Sequence, residues 1–263
     1  MMVSKKSVWE NIVYNDYMYN EDEALVAAVH NNKSEKKIDR LLEIGADPFE
    51  VKQVGYNQSS AFCSASKKGD LLLMDKFLQA DCVKKQEEII KARRVAVKSH
   101  KIDSISHLFG KGYVDGLDED RLIAAREAHD PSLMKALFEN DDLTPPSQEE
   151  LDVCFVAAAS AGRLDNLKYL RSQGASLDAS DGRNNALTAV ASVAQVQHAH
   201  VAIIRYLKEE GFSFEKADSE GKLAAETAAK SGHRDLTLLI DPKFPEEKIA
   251  QKSAPDGPFF AGM

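Results

Sequence analysis

Gly221-Lys222-Leu223-Ala224-Ala225-Glu226-Thr227-Ala228-Ala229-Lys230-Ser231-Gly232-His233 runs directly into Arg234-Asp235-Leu236-Thr237-Leu238-Leu239-Ile240. Apolar residues recur at helical spacing on both sides of Gly232-His233, so the stretch predicts two short helices with a tight break between them. Alanine, which loses no side-chain entropy in a helix, dominates the first half, and leucine fills the second.

Outward from this stretch the same grammar returns. In Val153 to Ser176 an alanine-rich segment ends at Gly162, Leu164, Leu167 and Leu170 line one side of the next, and Gly174-Ala175-Ser176 closes the copy. Ser60 to Leu78 breaks at Gly69 and continues with Leu72, Leu73, Phe77 and Leu78. Ala24 to Asp47 ends in Leu41-Leu42-Glu43-Ile44-Gly45-Ala46-Asp47, the most specific string in the chain. Weaker copies then fall into register at Ala92–Gly112, Leu122–Glu139 and Ala186–Gly211. The breaks at Lys33, Gly69, His100, His129, Gly162, Ala199 and Gly232 are spaced around the ~33 residues of one familiar repeat.

These residues resemble the ankyrin repeat, whose pattern is G-x-T-P-L-H-x-A-A, then G-H, a second helix ending in Leu-Leu, and G-A-D. The resemblance covers roughly Glu23 to Asp241 and implies an all-α ankyrin-repeat solenoid of about seven divergent helix-turn-helix units with atypical caps. The T-P-L-H slot is filled instead by Ser60-Ala61-Phe62-Cys63, Val153-Cys154-Phe155-Val156 and Leu223-Ala224-Ala225-Glu226. Each unit is too small to bury both faces of its helices, so its apolar stripe must be covered by its neighbours. Small alanines such as Ala157, Ala158, Ala159, Ala228 and Ala229 let first helices approach closely, while leucines fill the layer beside them.

Three domains are expected: an N-terminal cap over 1–22, the array over 23–241, and a polar, proline-rich tail over 242–263. Trp9, Ile12, Val13, Tyr14, Tyr17, Met18 and Tyr19 would close the first repeat's open core, with a partner-binding arm as the alternative. Gly45, Gly112, Gly174 and Gly211 fit unit ends that need a left-handed residue. Where glycine is replaced at a break, as by His100, His129 and Asp141, a looser or differently shaped turn is expected. About six extra residues, Val193 to His198, should lengthen the first helix of the sixth unit or its turn. Pro145-Pro146 forbids helix and predicts a kink or wider loop over 141–148 that divides the array.

The chain has 263 residues, is 43% apolar and only 7% aromatic, and carries a formal charge of -8. That balance favours packed helices, and the negative surface disfavours nucleic acid and anionic lipid. One basic run, Lys84, Lys85, Lys91, Arg93, Arg94, Lys98 and Lys101, reads as a solvated helix face, with a local site for an acidic partner as the sharper alternative. No stretch reaches the ~20 apolar residues of a membrane-spanning helix. Cys63, Cys82 and Cys154 have no paired spacing and fit buried, reduced thiols in a cytoplasmic protein.

Chemistry leaves little trace. No Cys pair or His-Glu helical motif accompanies the histidines, and His198 and His200, two apart, cannot share a helix face. His200 and His233 sit at the repeat's G-H position, where a structural hydrogen bond is expected. No glycine-rich phosphate loop, no G-x-S-x-G elbow and no recognisable acid/base pair is present. The expectation is a non-enzyme without cofactor or metal. An enzyme with an unrecognised site near 193–198 or 141–148 is the alternative.

The resemblance implies a protein-protein interaction module, an adaptor or scaffold, acting as a monomer with its protein partner on the concave face. Carried over by position, the partner-binding residues are Tyr56, Asn57, Gln58, Lys67, Lys68, Ser160, Asp181, Arg183, Asn184, Asn185, Ser192, Lys222 and Lys230. Tyr56 and Arg183 stand out because aromatic and arginine side chains dominate interface energetics. A tail bearing Glu246-Glu247 and Phe259-Phe260 is also similar to those of ankyrin-repeat effectors that intracellular bacteria deliver into host cells through a type IV system.

Overall fold

The computed structural model describes residues 20–54, 57–80, 85–129, 131–219 and 221–249. Among them seven helix pairs follow one another. The first is α1 (Glu21–His30) with α2 (Glu35–Glu43), followed by a hairpin of β1 (Lys52–Val54) and β2 (Asn57–Ser59). The second is α3 (Ala61–Lys68) with α4 (Leu71–Gln79), and the third α5 (Gln86–Lys98) with α6 (Ile102–Gly110). Then come α7 (Leu117–Glu127) with α8 (Ser132–Phe138) and α9 (Gln148–Ser160) with α10 (Leu164–Ser172). The last two are α11 (Ala186–Ala191) with α12 (His198–Glu209) and α13 (Ala224–Lys230) with α14 (Arg234–Ile240).

The chain divides into two compact units, Met1–Asp120 with Asn140–Leu143, and Arg121–Glu139 with Thr144–Met263. The chain passes from one unit to the other within the sequence of α7, at Asp120–Arg121, and again at Leu143–Thr144, inside 141–148. Pro145-Pro146 leads straight into the next helix: the Ser147 hydroxyl accepts the Glu150 N–H, and the Glu150 carboxylate accepts the Ser147 N–H, a capping box. Asn20 and Glu23 build the same box at α1, each cap being worth ~1 kcal/mol.

Burial follows the expected division of labour. Ala158 and Ala228 on first helices are fully buried, as are Leu167 and Leu170 on α10. In the first unit Leu25, Leu41, Phe62, Met74 and Phe77 form the centre of the core. Leu72, expected to line it, is 85% exposed. Leu73, Met74 and Phe77 face inward at helical spacing, which leaves Leu72 on the outward face with Lys76.

Gly69, Gly162 and Gly232 take left-handed backbone at the helix break, and His100 and Asn32 do the same with φ of 55° and 51°. The turn at His100 is not looser. Lys101 N–H bonds Ala96 C=O at 2.9 Å, matching Asp70 to Ala65 at 3.1 Å and Arg163 to Ala158 at 2.9 Å. Closing the first helix requires this bond, so the backbone is held left-handed whatever the side chain. His100→Gly should therefore raise stability by about 1 kcal/mol, read as a higher urea midpoint at unchanged slope. At His129 the break does differ, since Pro131 caps α8 with φ near −75°.

The insertion goes into the turn: α11 stops at Ala191 and α12 starts only at His198. His200 nevertheless reaches the preceding repeat. Its Nδ1 accepts the Gln197 N–H at 2.9 Å, so Nε2 carries the proton and donates to Ser160 C=O at 3.1 Å. His233 Nε2 pairs with Val193 C=O at 2.6 Å. Ser104 Oγ donates to Ser66 C=O at 3.1 Å, and Asn166 Nδ2 donates to the carbonyls of Ala124, Ala125 and Ala128 at 3.4, 3.2 and 2.9 Å. At these places a polar group near the start of a second helix donates to carbonyls at or just past the end of the preceding repeat's first helix, where the helix itself supplies few donors.

The basic run is not one solvated face. Arg93 is fully buried and its Nε lies 2.5 Å from the equally buried Asp120. Its two terminal nitrogens donate to the carbonyls of Tyr113 and Asp115, and its guanidinium stands 5.1 Å from the Phe109 ring centroid. Arg121 repeats the device in the second unit: Nε donates to Leu137 C=O at 3.1 Å and Nη2 to Thr144 C=O, with Glu150 at 3.2 Å and the Phe138 centroid at 5.3 Å. A planar fork of donors suits a loop carrying several bare carbonyls, which an ammonium could not span. Of the rest, Arg94 pairs with Glu119, Lys91 with Glu88 and Lys85 with Glu50.

Candidate interaction surface

The helix pairs present two kinds of exposed backbone, the loops between pairs and the ends of first helices. In the first unit the loop is the β1–β2 hairpin, paired Lys52 to Ser59, Gln53 to Gln58 and Val54 to Asn57. Gln58 is exposed on it, Asn57 opens β2, and Tyr56 lies outside the described residues. The hairpin's base is held by charge: Lys52 contacts Asp22 at 3.4 Å, and Glu50 bonds Lys85, whose ammonium holds that carboxyl below its usual range.

In the second unit Ser180 bridges Asn185, closing a tight tip. Asp181 builds it, its Oδ1 accepting the N–H groups of Arg183 and Asn184 at 2.9 and 2.7 Å, with Gly182 left-handed at φ 86°. The following loop uses Asp218 alike, Oδ1 accepting the Lys222 N–H at 2.9 Å. The two tips are stitched together: Ser219 Oγ donates to Arg183 C=O at 2.7 Å and Gly182 C=O at 3.0 Å. At their base Lys216 meets Asp178 at 2.8 Å. Asp181, Arg183 and Lys222 are thus exposed together, with Asn184 half-buried beside them. Glycine and aspartate in a short polar stretch were the sequence signal for such turns.

Ser160, Ser192 and Lys230 are exposed at or just past the C-termini of α9, α11 and α13, and Lys67 at that of α3. Two positions have other duties. Asn185 is only 4% exposed, because it caps α11: Oδ1 accepts the Thr188 N–H at 2.9 Å and Thr188 Oγ1 accepts the Asn185 N–H at 3.0 Å. Burial removes it from the exposed set. Lys68 points its ammonium at the carbonyls of Val29 and His30, 2.5 and 2.9 Å away, and at Asn32 Oδ1. Loss of water there lowers its pKa.

Beside the insertion an open cleft of about 440 Å³ is lined by Val196, Gln197, His198, Val201, His233, Arg234 and Asp235. His233 is committed to Val193, so the cleft's imidazoles do not converge. No three His, Cys, Asp or Glu side chains among the described residues are placed to hold a metal ion. Cys63 and Cys154 are buried thiols, and burial pushes the Cys63 thiol above its ordinary pKa, the opposite of a poised nucleophile. Cys82 and the aromatic N-terminal segment lie outside the described residues, as does the tail from 250 onward. The tail's first part is described, with a 3-10 turn at Glu246–Lys248 tied to α14 by Arg234 and Glu246 at 2.7 Å.

No protein-family model matches the chain. Over 114 residues, 43% of the chain, it is 26% identical to a transient receptor potential cation channel subfamily A member 1 homolog of Caenorhabditis elegans, and the match spans only 9% of that protein. The crystal structure of the ankyrin repeat protein EF0377 superposes with a TM-score of 0.50 at 19% identity, covering 68% of this chain and 96% of its own. The human ASB11 ankyrin repeat domain reaches 0.42 at 18% identity, with 69% and 98% covered. Seven helix pairs with a recurrent closing turn, together with the likeness to EF0377, make this the all-α ankyrin-repeat fold.

Proposed function

We propose that the chain is a non-catalytic interaction module that grips another protein through its inter-repeat tips and first-helix ends. The observation that carries this reading is the stitched pair of tips in the second unit. Asp181, Asp218 and Ser219 spend their polar groups on holding the backbone, so that Arg183 and Lys222 are displayed on a pre-set frame. A rigid frame lowers the ordering cost of association, and arginine is among the side chains that contribute most when desolvated. The partner is a protein, the surface charge disfavours nucleic acid, and no described helix is long and apolar enough to cross a membrane. Ser160, Ser192 and Lys230 extend this surface in the second unit, and Gln58 and Lys67 are the corresponding positions of the first unit, taken by itself.

The test is quantitative affinity purification from eukaryotic lysate with the wild-type chain and the Arg183→Glu, Lys222→Glu double variant. Specific partners should fall about tenfold or more in the variant while its thermal melt stays unchanged. Equal recovery of every partner would remove this surface from consideration. The finer reading, a bacterial effector delivered into host cytoplasm by a type IV system, rests on the tail with Glu246, Glu247, Phe259 and Phe260. Deleting 253–263 should then abolish delivery in a translocation reporter assay.

A further inference from the structure

The lysines of the first unit fall into two populations. Lys52, Lys76, Lys85, Lys91 and Lys111 each lie against a carboxylate. Lys33, Lys36, Lys37, Lys67, Lys98 and Lys101 form no ion pair among the described residues; Lys36 and Lys37 lie in α2, and the other four lie in or at the edge of the turns that join first to second helices. Lys33, Lys67 and Lys101 recur one repeat apart.

These turns are neighbours in space. Lys68 reaches from the second turn to the carbonyls of the first, and Ser104 Oγ reaches from α6 back to Ser66 C=O beside the second. The Lys101 stem lies over Gly69, its Cδ only 3.6 Å from where a β-carbon would stand. The lysines therefore form one line along a single edge, interrupted by the exposed carboxylates of Asp70 and Asp103. In a chain of net charge -8 an edge where cations outnumber acids and stay unpaired is a departure from its surroundings.

We infer that this edge binds an acidic polypeptide segment in extended form, with a carboxylate at about every third residue. It rests on the reading of the chain as a protein-binding module and deepens it at the first unit's helix ends, where Lys67 belongs to both. Stacked helices lie ~8–10 Å apart, so successive turns repeat at about that distance. A chain in the extended polyproline-II form rises ~3.1 Å per residue with three residues per turn, which brings every third side chain back to the same side at about the next turn. Asp70 and Asp103 interrupt the line at places where a spaced peptide can carry neutral residues, whereas a continuous polyanion would be repelled there and by the rest of the surface.

The experiment uses the full chain and a fluorescent peptide of glutamates separated by pairs of serine and glycine, followed by polarisation. Three controls accompany it: a peptide of the same composition with its glutamates contiguous, vesicles of phosphatidylcholine with phosphatidylserine, and duplex DNA. The spaced peptide should bind saturably and more tightly than the contiguous one. Its affinity should drop about tenfold on raising salt past physiological strength and at least tenfold in Lys33→Glu, Lys67→Glu, Lys98→Glu. If that variant melts early, the glutamine versions at the same three positions replace it and should weaken binding in the same direction.

Absent saturable binding, unchanged affinity in the triple variant, or tighter binding to vesicles or DNA would each overturn the inference. The Arg183→Glu, Lys222→Glu variant should bind the peptide as the wild type does, and a loss there would overturn the assignment to this edge. A peptide that fails while partner capture still depends on Arg183 and Lys222 would sink this inference alone.

Discussion

Arg93→Met is expected to cost about 3–5 kcal/mol of stability in the first compact unit, because it strands a buried carboxylate and two loop carbonyls at once. Asp120 is fully buried and its Oδ1 makes no hydrogen bond among the described residues, so the guanidinium is its main source of compensation. Removing both charges, as Arg93→Met with Asp120→Leu, should recover much of the loss, since a paired charge replaced by packed apolar atoms can come out neutral. Urea unfolding of the single and double variants, with amide exchange read in α5 and α6, measures both. A single-variant loss under about 1 kcal/mol would contradict the account.

The same carboxylate gives a signed pH effect. Burial raises the Asp120 pKa from its ordinary 3.8 to about 6, against the downward pull of Arg93. The folded state thus takes up this proton before the unfolded state as pH falls. Its contribution to stability grows from neutral pH down through about 6 and levels off near 3.8. Asp120→Asn should lack this rise, and in Arg93→Met the rise should begin at higher pH because the opposing cation is gone.

Asn166→Leu is expected to cost about 2–3 kcal/mol in the second unit, the two side chains having the same number and branching of heavy atoms. The Asn166 amide donates to three carbonyls at the end of α7; Ala124 C=O keeps the Ala128 N–H, but a methyl group there would remove the donor to Ala125 and Ala128. The unpaired Asn166 Oδ1 is the one polar atom whose removal helps, which keeps the loss below that of Arg93→Met. Asn166→Asp should be worse than leucine, as it sets a carboxylate against carbonyl oxygens. Thermal melts rank the three proteins, and faster amide exchange near Ala128 would localise the effect.

The repeat and its helix pairs were legible because alanine, leucine and glycine recur at fixed offsets, and those offsets are what stacking demands. The buried arginines were not, since a basic run in sequence looks solvated. A signal was nonetheless present: Arg93 stands four residues after Ile89 and four before Val97, on the apolar stripe, and Arg121 stands four after Leu117. Positions for a partner were legible only by alignment to the repeat. Whether a side chain there faces solvent, as Arg183 does, or turns inward as a cap, as Asn185 does, depends on hydrogen bonds between loops that no spacing rule encodes.

Ser104, Asn166, His200 and His233 all finish a helix that precedes them by a whole repeat. Growth of the polypeptide on the ribosome is thereby one repeat behind in its own consolidation. Until the following pair has emerged, the newest first helix has its own closing turn but not these side-chain bonds, so a chain truncated between pairs should show faster amide exchange at that turn.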